Sequence, residues 1–283
     1  MDVEAFAAEL PRRFDGDANA EHPVDRRLAA VVERVPGMTT EHALTVLDLA
    51  VAGLGETECY LEVGSYRGRS VVGAMLDHPG RQAVAIESFA EFGVDPVQAR
   101  IAVENTLREF GVDDRVRLVV GDAFRRLDRS SVPAPVGVYF YDGAHSRVAQ
   151  YLGLALAEPL FAERSLVLVD DWSWPQVRSA TRAYLKRHPG YHVVAEMTVS
   201  TDFDPRWCNG LVVLAWQRPP DWVVPSGWEV VWRRWAHLGL LAPLRSLAYR
   251  VLVRHPRVTR LVAKIYLHGG TRVPTHAPDD VLG

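Results

Sequence analysis

The sequence predicts an α/β fold: a doubly wound, mostly parallel seven-stranded sheet with an antiparallel terminal hairpin and helical additions at both ends. From Cys59 onward, short apolar runs alternate with amphipathic stretches. This alternation implies right-handed crossovers and a parallel sheet with helices on both faces. The last two apolar runs have no helix between them, so we expect them to pair as antiparallel neighbours.

The elements are predicted from apolar periodicity, in chain order. Residues 1–54 are expected to form an N-terminal helical cap, whose clearest helix is at 40–54. The predicted strands are 60–63, 83–86, 116–120, 136–141, 165–169, 191–199 and 210–216. The predicted helices between them are 70–76, 96–110, 148–160 and 175–187. These strands and helices define a predicted core domain at residues 55–218.

The composition argues against nucleic-acid-binding, disulfide-rich and membrane-spanning classes of protein. The formal net charge of -3 gives no overall basic field of the kind that nucleic-acid binding usually requires, so we expect no nucleic-acid partner. The two cysteines, Cys59 and Cys208, form neither a metal-binding spacing nor a disulfide framework, which favours a reducing, cytoplasmic location. The N-terminus lacks the pattern of a signal peptide, and no run of about 18 apolar residues could span a bilayer.

The C-terminal part of the chain differs in charge. From Gly227 to the end, nine Lys or Arg residues accompany three acids. Pro243 and Pro256 are expected to divide a basic amphipathic region, residues 227–268, into three short helices, followed by a tail at 269–283. Two interpretations stay open: the helices lie peripherally in a membrane interface, or they pack as a cap on the core domain or as a homo-oligomer contact.

A glycine-flanked turn follows the first predicted strand. Residues 61–70 read Leu-Glu-Val-Gly-Ser-Tyr-Arg-Gly-Arg-Ser, with glycines at Gly64 and Gly68. Glycine accepts positive φ and lets a ligand approach the backbone closely. Many α/β proteins also use such a turn simply to change direction, so both interpretations stay open for the turn taken alone.

Polar groups follow the next two predicted strands as well. Glu87 comes 23 residues after Gly64, about where an acid would bind the hydroxyl pair of a ribose. In the segment 121–124, Asp122 offers an acid for an amine donor and Phe124 a ring for stacking. Because open α/β sheets bind ligands at the carboxyl ends of their strands, the three strand ends together predict a nucleoside site.

These motifs resemble class I S-adenosylmethionine-dependent methyltransferases over roughly residues 40–216, and the 61–70 segment resembles more narrowly the catechol O-methyltransferase group. The resemblance implies a Rossmann-like fold and S-adenosyl-L-methionine as the cofactor. It implies that Gly64, Tyr66 and Ser70 hold the methionine end. Glu87 would bind the ribose, and segment 121–124 the adenine. The complete implied cofactor-binding set is Glu62, Gly64, Ser65, Tyr66, Gly68, Ser70, Glu87, Ser88, Gly121, Asp122, Ala123, Phe124 and Asp142.

Acidic residues follow the fourth and fifth predicted strands. Asp142 ends the fourth, and the pair Asp170 and Asp171 begins 28 residues later, after the fifth. If the two strands are neighbours, the three carboxylates repel one another unless some are protonated or a cation neutralises them. Mg²⁺ is the natural candidate because it takes oxygen ligands. The alternative is that Asp142 is a plain strand-end acid and Asp171 caps the next helix.

The same three acids, with an Asp-Gly-x-His string at 142–145, are similar to those of metal-dependent sugar O-methyltransferases of antibiotic pathways and of cephalosporin hydroxylase-like proteins. The similarity implies that all three are metal ligands. Some sugar enzymes place a second acid, the general base, where this chain has Ala144, whereas the catechol enzymes place a basic residue where this chain has His145. Histidine can accept a proton near neutral pH. Alternatively, His145 caps the helix that starts near Ser146 or is a fourth ligand.

Together these observations predict an S-adenosylmethionine-dependent, divalent-metal-assisted O-methyltransferase. The expected acceptor is a hydroxyl of a small molecule or sugar, either a natural product or a glycan, and the expected catalytic residues are Asp142 and His145. Trp172 and Trp174 are expected either to wall the acceptor pocket or to lie in the core. The alternative function is a cephalosporin hydroxylase-like or non-catalytic S-adenosylmethionine-binding protein, at a membrane surface if the C-terminal helices bind there.

Overall fold

The computed structural model describes residues 1–89, 95–225, 228–241 and 243–244. Its centre is one sheet of seven strands in the order β3-β2-β1-β4-β5-β7-β6. The strands are β1 Cys59–Val63, β2 Gln82–Glu87, β3 Val116–Val120, β4 Val136–Tyr141, β5 Phe161–Asp170, β6 Tyr191–Met197 and β7 Leu211–Gln217. The strands β1 to β5 pair in parallel, and β7 pairs antiparallel with both β5 and β6. The predicted fold class is confirmed.

Helices cover both faces of the sheet. They are α1 Val3–Glu9, α2 Ala29–Arg34, α3 Glu41–Ala52, α4 Arg69–Met75, α5 Pro96–Glu109, α6 Ala123–Arg126, α7 Arg147–Ala157, α8 Pro175–Leu185 and α9 Trp228–Trp235. Short 3₁₀ turns occupy Leu10–Phe14 and Glu158–Leu160, and Ala236–Leu241 is π-helical. Side chains that accept backbone N–H bonds fix five of the helix starts, as expected of N-caps: Asp2 for α1, Thr40 for α3, Asp95 for α5, Asp122 for α6 and Ser146 for α7.

The alternation of side chains along each strand produces two apolar cores, one on each face of the sheet. Tyr60 on β1 points into the core that also contains side chains of α1 to α5. The next residue, Leu61, points into the opposite core, which contains side chains of α6 to α9. The N-terminal helices therefore share one layer with α4 and α5.

Several element boundaries differ from the sequence-based prediction. β5 begins at Phe161, four residues early, because Phe161 is buried and pairs with Val136 of β4. The helix predicted at 148–160 ends at Ala157 and becomes a 3₁₀ turn that contains Pro159, a residue without a backbone N–H. The helix α6 was not predicted, because only four residues form it.

The C-terminal region is described only in part. Its first predicted helix is α9, and the chain then continues into the wider π-helical turn Ala236–Leu241. The other two predicted helices and the tail at 269–283 lie outside the described residues, apart from positions 243 and 244. Among the helices that are described, none is both long and apolar enough to cross a bilayer.

Candidate active site

The turn at residues 64–68, here called the Gly64 turn, brings β1 against the end of β4. A Cβ atom at Gly64 would lie 2.0 Å from the carbonyl oxygen of Asp142, and its φ of +92° is one that favours glycine. The Gly64 N–H donates to the carbonyl of Ile86 on β2, at 3.0 Å. Gly64 is therefore required by the close approach of β1, β2 and β4, whatever ligand binds above it.

Glu62 lies fully buried beneath the Gly64 turn. It accepts hydrogen bonds from the hydroxyls of Tyr60, at 2.5 Å, and of Ser70, at 2.8 Å. Burial raises the pKa of Glu62 to about 7, although these hydrogen bonds oppose the shift. Glu62 thus fixes Ser70 at the start of α4, directly after the turn, and is itself screened from solvent.

Glu87 is the last residue of β2, as predicted, and its carboxylate links two loops by hydrogen bonds. One carboxylate oxygen accepts the N–H of Tyr66, at 2.9 Å, and the other accepts the N–H of Phe89, at 2.8 Å. Ser88 lies half-buried beside it. The side chain of Glu87 is partly exposed at the carboxyl edge, which is where the sequence predicted a ribose-binding acid.

The predicted adenine segment begins helix α6. Asp122 caps this helix by accepting the N–H of Phe124, at 2.9 Å. Gly121 before it has a φ of +142°. The ring of Phe124 is almost fully buried and meets the edge of the His237 ring, with centroids 4.5 Å apart. Residues from the C-terminal region therefore reach this segment, which the sequence had not suggested.

The acids after β4 and β5 come together as predicted for neighbouring strands. Tyr141 pairs with Val169, so Asp142 and Asp170, which follow them, are adjacent. Asp171 has a φ of +55° and is buried. Ligand atoms of Asp142, His145 and Asp171 lie within 4.8 Å of one another, and we call these three residues the acid–histidine cluster. Asp170 does not join this close group.

Burial and mutual repulsion make the three carboxylates costly to ionise. The pKa of Asp142 is raised well above its usual range by burial and then by the charges of Asp170 and Asp171. The pKa of Asp170 is raised well above its usual range by burial and by Asp171. Burial also raises the pKa of Asp171, whereas His145 and a hydrogen bond from Asn209 lower it. Asp170 therefore belongs electrostatically to the same site, and a bound cation would relieve all three.

His145 is held between an acid and an aromatic ring. Its Nε2 lies 3.1 Å from Oδ2 of Asp171, and the edge of Trp174 packs against it with centroids 4.9 Å apart. Its Nδ1 is buried and has no hydrogen-bond partner among the described residues. The N-cap of α7 is Ser146, so the helix-capping role considered for His145 belongs to its neighbour.

Comparison with known proteins finds a family match for the part of the chain that contains this edge of the sheet. Residues 61–172 match the family model described as a methyltransferase domain. The matched segment runs from β1, before the Gly64 turn, to the residue directly after Asp171, so it contains every predicted site residue.

Several solved structures share the fold of this chain. A candidate O-methyltransferase from Klebsiella pneumoniae is 20% identical with a TM-score of 0.52, over 71% of this chain and 93% of that one. An O-methyltransferase from Bacillus cereus in complex with SAH is 14% identical with a TM-score of 0.53, over 74% and 100%. A candidate caffeoyl-CoA O-methyltransferase from Staphylococcus aureus is 14% identical with a TM-score of 0.51, over 68% and 93%.

Two further residues of the candidate site come from the loop between β6 and β7. Asn209 donates from Nδ2 to Oδ1 of Asp171, at 2.7 Å, and accepts the N–H of Phe203, at 3.1 Å. The thiol of Cys208 faces the same acids, and burial followed by their charges raises its pKa. No sequence motif marks these residues, because the insertion of β7 beside β5 is what brings the loop to the site.

The two tryptophans after β5, Trp172 and Trp174, have different environments. Trp172 is almost fully buried, and the guanidinium groups of Arg178 and Arg182 lie against its ring. Trp174 is partly buried beside His145 and donates to Asp202, at 3.1 Å. The structure therefore places Trp172 in the core and Trp174 at the site.

Proposed function

We propose that this methyltransferase transfers the methyl group of S-adenosylmethionine to a hydroxyl oxygen of a small molecule, with the help of a divalent cation such as Mg²⁺. The observation that carries the proposal is the acid–histidine cluster, which lies at the same carboxyl edge as the Gly64 turn. A methyl donor in the cleft and an activated oxygen at the acids would then be neighbours.

The donor set at the acids fits a hard cation. Asp142, Asp170 and Asp171 would hold it, since carboxylate oxygens are the ligands that Mg²⁺ takes. Oδ1 of Asp171 accepts a hydrogen bond from Asn209, and Oδ2 lies 3.1 Å from Nε2 of His145, so each oxygen keeps a lone pair for coordination. When bound, the cation would lower the pKa of a hydroxyl that binds beside it.

The cofactor cleft would use the groups that the structure gathers at the ends of β1 to β3. Glu87, partly exposed, fits the ribose hydroxyls, and the Gly64 turn with Ser70 fits the methionine end. Glu62, which lies beneath the Gly64 turn, accepts a hydrogen bond from the hydroxyl of Ser70 and so orients that hydroxyl. When bound, S-adenosylmethionine supplies an electrophilic methyl group on sulfur.

His145 is proposed as the residue that accepts the hydroxyl proton. The contact of its Nε2 with Asp171 orients the ring, as an acid orients a catalytic histidine in other enzymes. With a proton on Nε2, the unpartnered Nδ1 is the basic atom. Trp174 packs on the ring and helps to exclude water from it. An acceptor with two adjacent oxygens, as in a sugar or a hydroxylated natural product, suits a site that has both a base and a cation.

The test compares Asp170→Asn with Glu163→Gln, a matched change at an exposed acid of the same strand, β5. Each protein is stripped with a chelator, resupplied with Mg²⁺ and assayed for methyl transfer to a panel of diols and catechols. Asp170→Asn is expected to lose metal-stimulated turnover by about 100-fold or more, since a Lewis-acid cation contributes several kcal/mol. Its affinity for S-adenosylhomocysteine should stay within a few-fold, and Glu163→Gln should match wild type. Full activity after metal removal, or unchanged activity of Asp170→Asn, would contradict the proposal.

A further inference from the structure

The C-terminal segment, residues 228–241, is anchored on the methyltransferase domain. Val230 of α9 is buried in the core that contains α7 and α8. The guanidinium of Arg233 lies 4.0 Å from the centre of the Tyr151 ring on α7. Glu229 forms an ion pair with Arg187, at 3.4 Å, just after α8. The segment is thus docked by apolar burial, a cation–π contact and an ion pair.

The turn after α9 carries one side chain to the end of β3. His237 is only 3% exposed, and its ring stands edge-on to Phe124, at an interplanar angle of 88°. Its Nε2 lies 3.7 Å from Oδ2 of Asp122. Asp122 and Phe124 belong to the segment proposed to bind adenine, so a residue far along the chain contacts this segment.

The other ring nitrogen of His237 lacks a partner. Nδ1 is buried and has no hydrogen-bond partner among the residues that the structure describes. Buried polar atoms of native proteins are ordinarily paired, and an exception calls for a ligand, a water or another explanation. With the proton on Nε2 towards the carboxylate of Asp122, Nδ1 is a hydrogen-bond acceptor. The exocyclic amine of adenine is a donor of the required kind.

We propose that His237 is an adenine-binding residue, supplied by the C-terminal segment, which accepts a hydrogen bond from the exocyclic amine of the cofactor at Nδ1. This inference rests on the proposed placement of adenine at segment 121–124. It assigns the C-terminal segment a role in cofactor binding. The contacts of Val230, Arg233 and Glu229 then position His237 rather than serving the fold alone.

The experiment measures binding of S-adenosylhomocysteine and of S-inosylhomocysteine, which lacks the exocyclic amine, by calorimetry on the full chain. His237→Ala is expected to bind S-adenosylhomocysteine about tenfold more weakly, the order of one hydrogen bond. Wild type should prefer the adenosyl over the inosyl compound, and His237→Ala should lose most of that preference, since a double-mutant cycle isolates the paired contact. His237→Gln, whose amide oxygen can accept the same bond, should recover part of it.

The control is Trp228→Ala, a large change at an exposed position of the same segment, which should leave both affinities unchanged. Equal or tighter binding of S-adenosylhomocysteine by His237→Ala would overturn the inference, because the ring would then contribute nothing or block the base. Weaker binding with an unchanged preference between the two compounds would also overturn it and indicate a structural role. Failure of wild type to bind S-adenosylhomocysteine at all would reject the proposed function as well, so the two failures are distinguishable.

Discussion

The two halves of the carboxyl edge treat their acidic side chains differently. At the ends of β1 and β2, Glu62 accepts two hydroxyl hydrogen bonds and Glu87 accepts two backbone N–H groups. At the ends of β4 and β5, Asp142 and Asp170 face other carboxylates, which together with burial raise their pKa values. The first half provides hydrogen-bond donors for its acids, whereas the second disfavours ionisation of its acids, which a bound cation would favour.

This difference indicates that the two proposed roles of the site, cofactor binding and activation of the acceptor hydroxyl, depend on different interactions. Hydrogen bonds preorganise the proposed cofactor half before any ligand binds. The acidic half depends on the balance of charge among its side chains, which a substitution or a bound cation would alter directly. Changes at the acids should therefore affect turnover while cofactor affinity persists, and a change where the halves meet should affect both.

The largest effect is expected at Gly64, where the halves meet. In Gly64→Ala the new Cβ would lie 2.0 Å from the carbonyl of Asp142, at a φ of +92°. Backbone strain and overpacking each cost about 1–3 kcal/mol. We expect the free energy of unfolding in urea to fall by about 3 kcal/mol or more, with loss of both S-adenosylhomocysteine binding and methyl transfer. Gly80→Ala is the control, because its Cβ would meet nothing within 4 Å; similar behaviour of the two variants would contradict the close-approach argument.

A second prediction concerns the pH dependence of the cofactor half. The pKa of buried Glu62 is raised from 4.5 to about 7. The folded protein therefore binds this proton more tightly than the unfolded chain, so stability falls as pH rises from about 4.5 to about 7. Glu62→Gln removes the ionisation and should lose less stability over that interval, by up to about 3 kcal/mol. Denaturant titrations at several pH values measure this, and parallel pH profiles of the two proteins would refute it.

The sequence predicted the parts of the site that lie at strand ends. Glu87, Asp142 and Asp171 follow apolar runs, and the topology of a parallel sheet places such residues at one edge. It could not predict Asn209 or His237. Both reach the site through tertiary packing, one by insertion of β7 beside β5 and one by docking of α9 on α7. Local patterns encode no such long-range placement.

The smallest of these effects is expected at His145 in the acidic half, where the roles of base and metal ligand can be separated. As a base, His145→Ala should lower kcat about 100-fold, since general-base catalysis contributes at least that much. His145→Gln, which fills similar space but cannot take up the proton, should lose as much. Raising the Mg²⁺ concentration should restore neither variant, and S-adenosylhomocysteine affinity should change less than twofold because the cofactor half has its own supports. Recovery of turnover at high Mg²⁺ would instead make His145 a ligand, because mass action can refill a weakened metal site but cannot replace a missing proton acceptor.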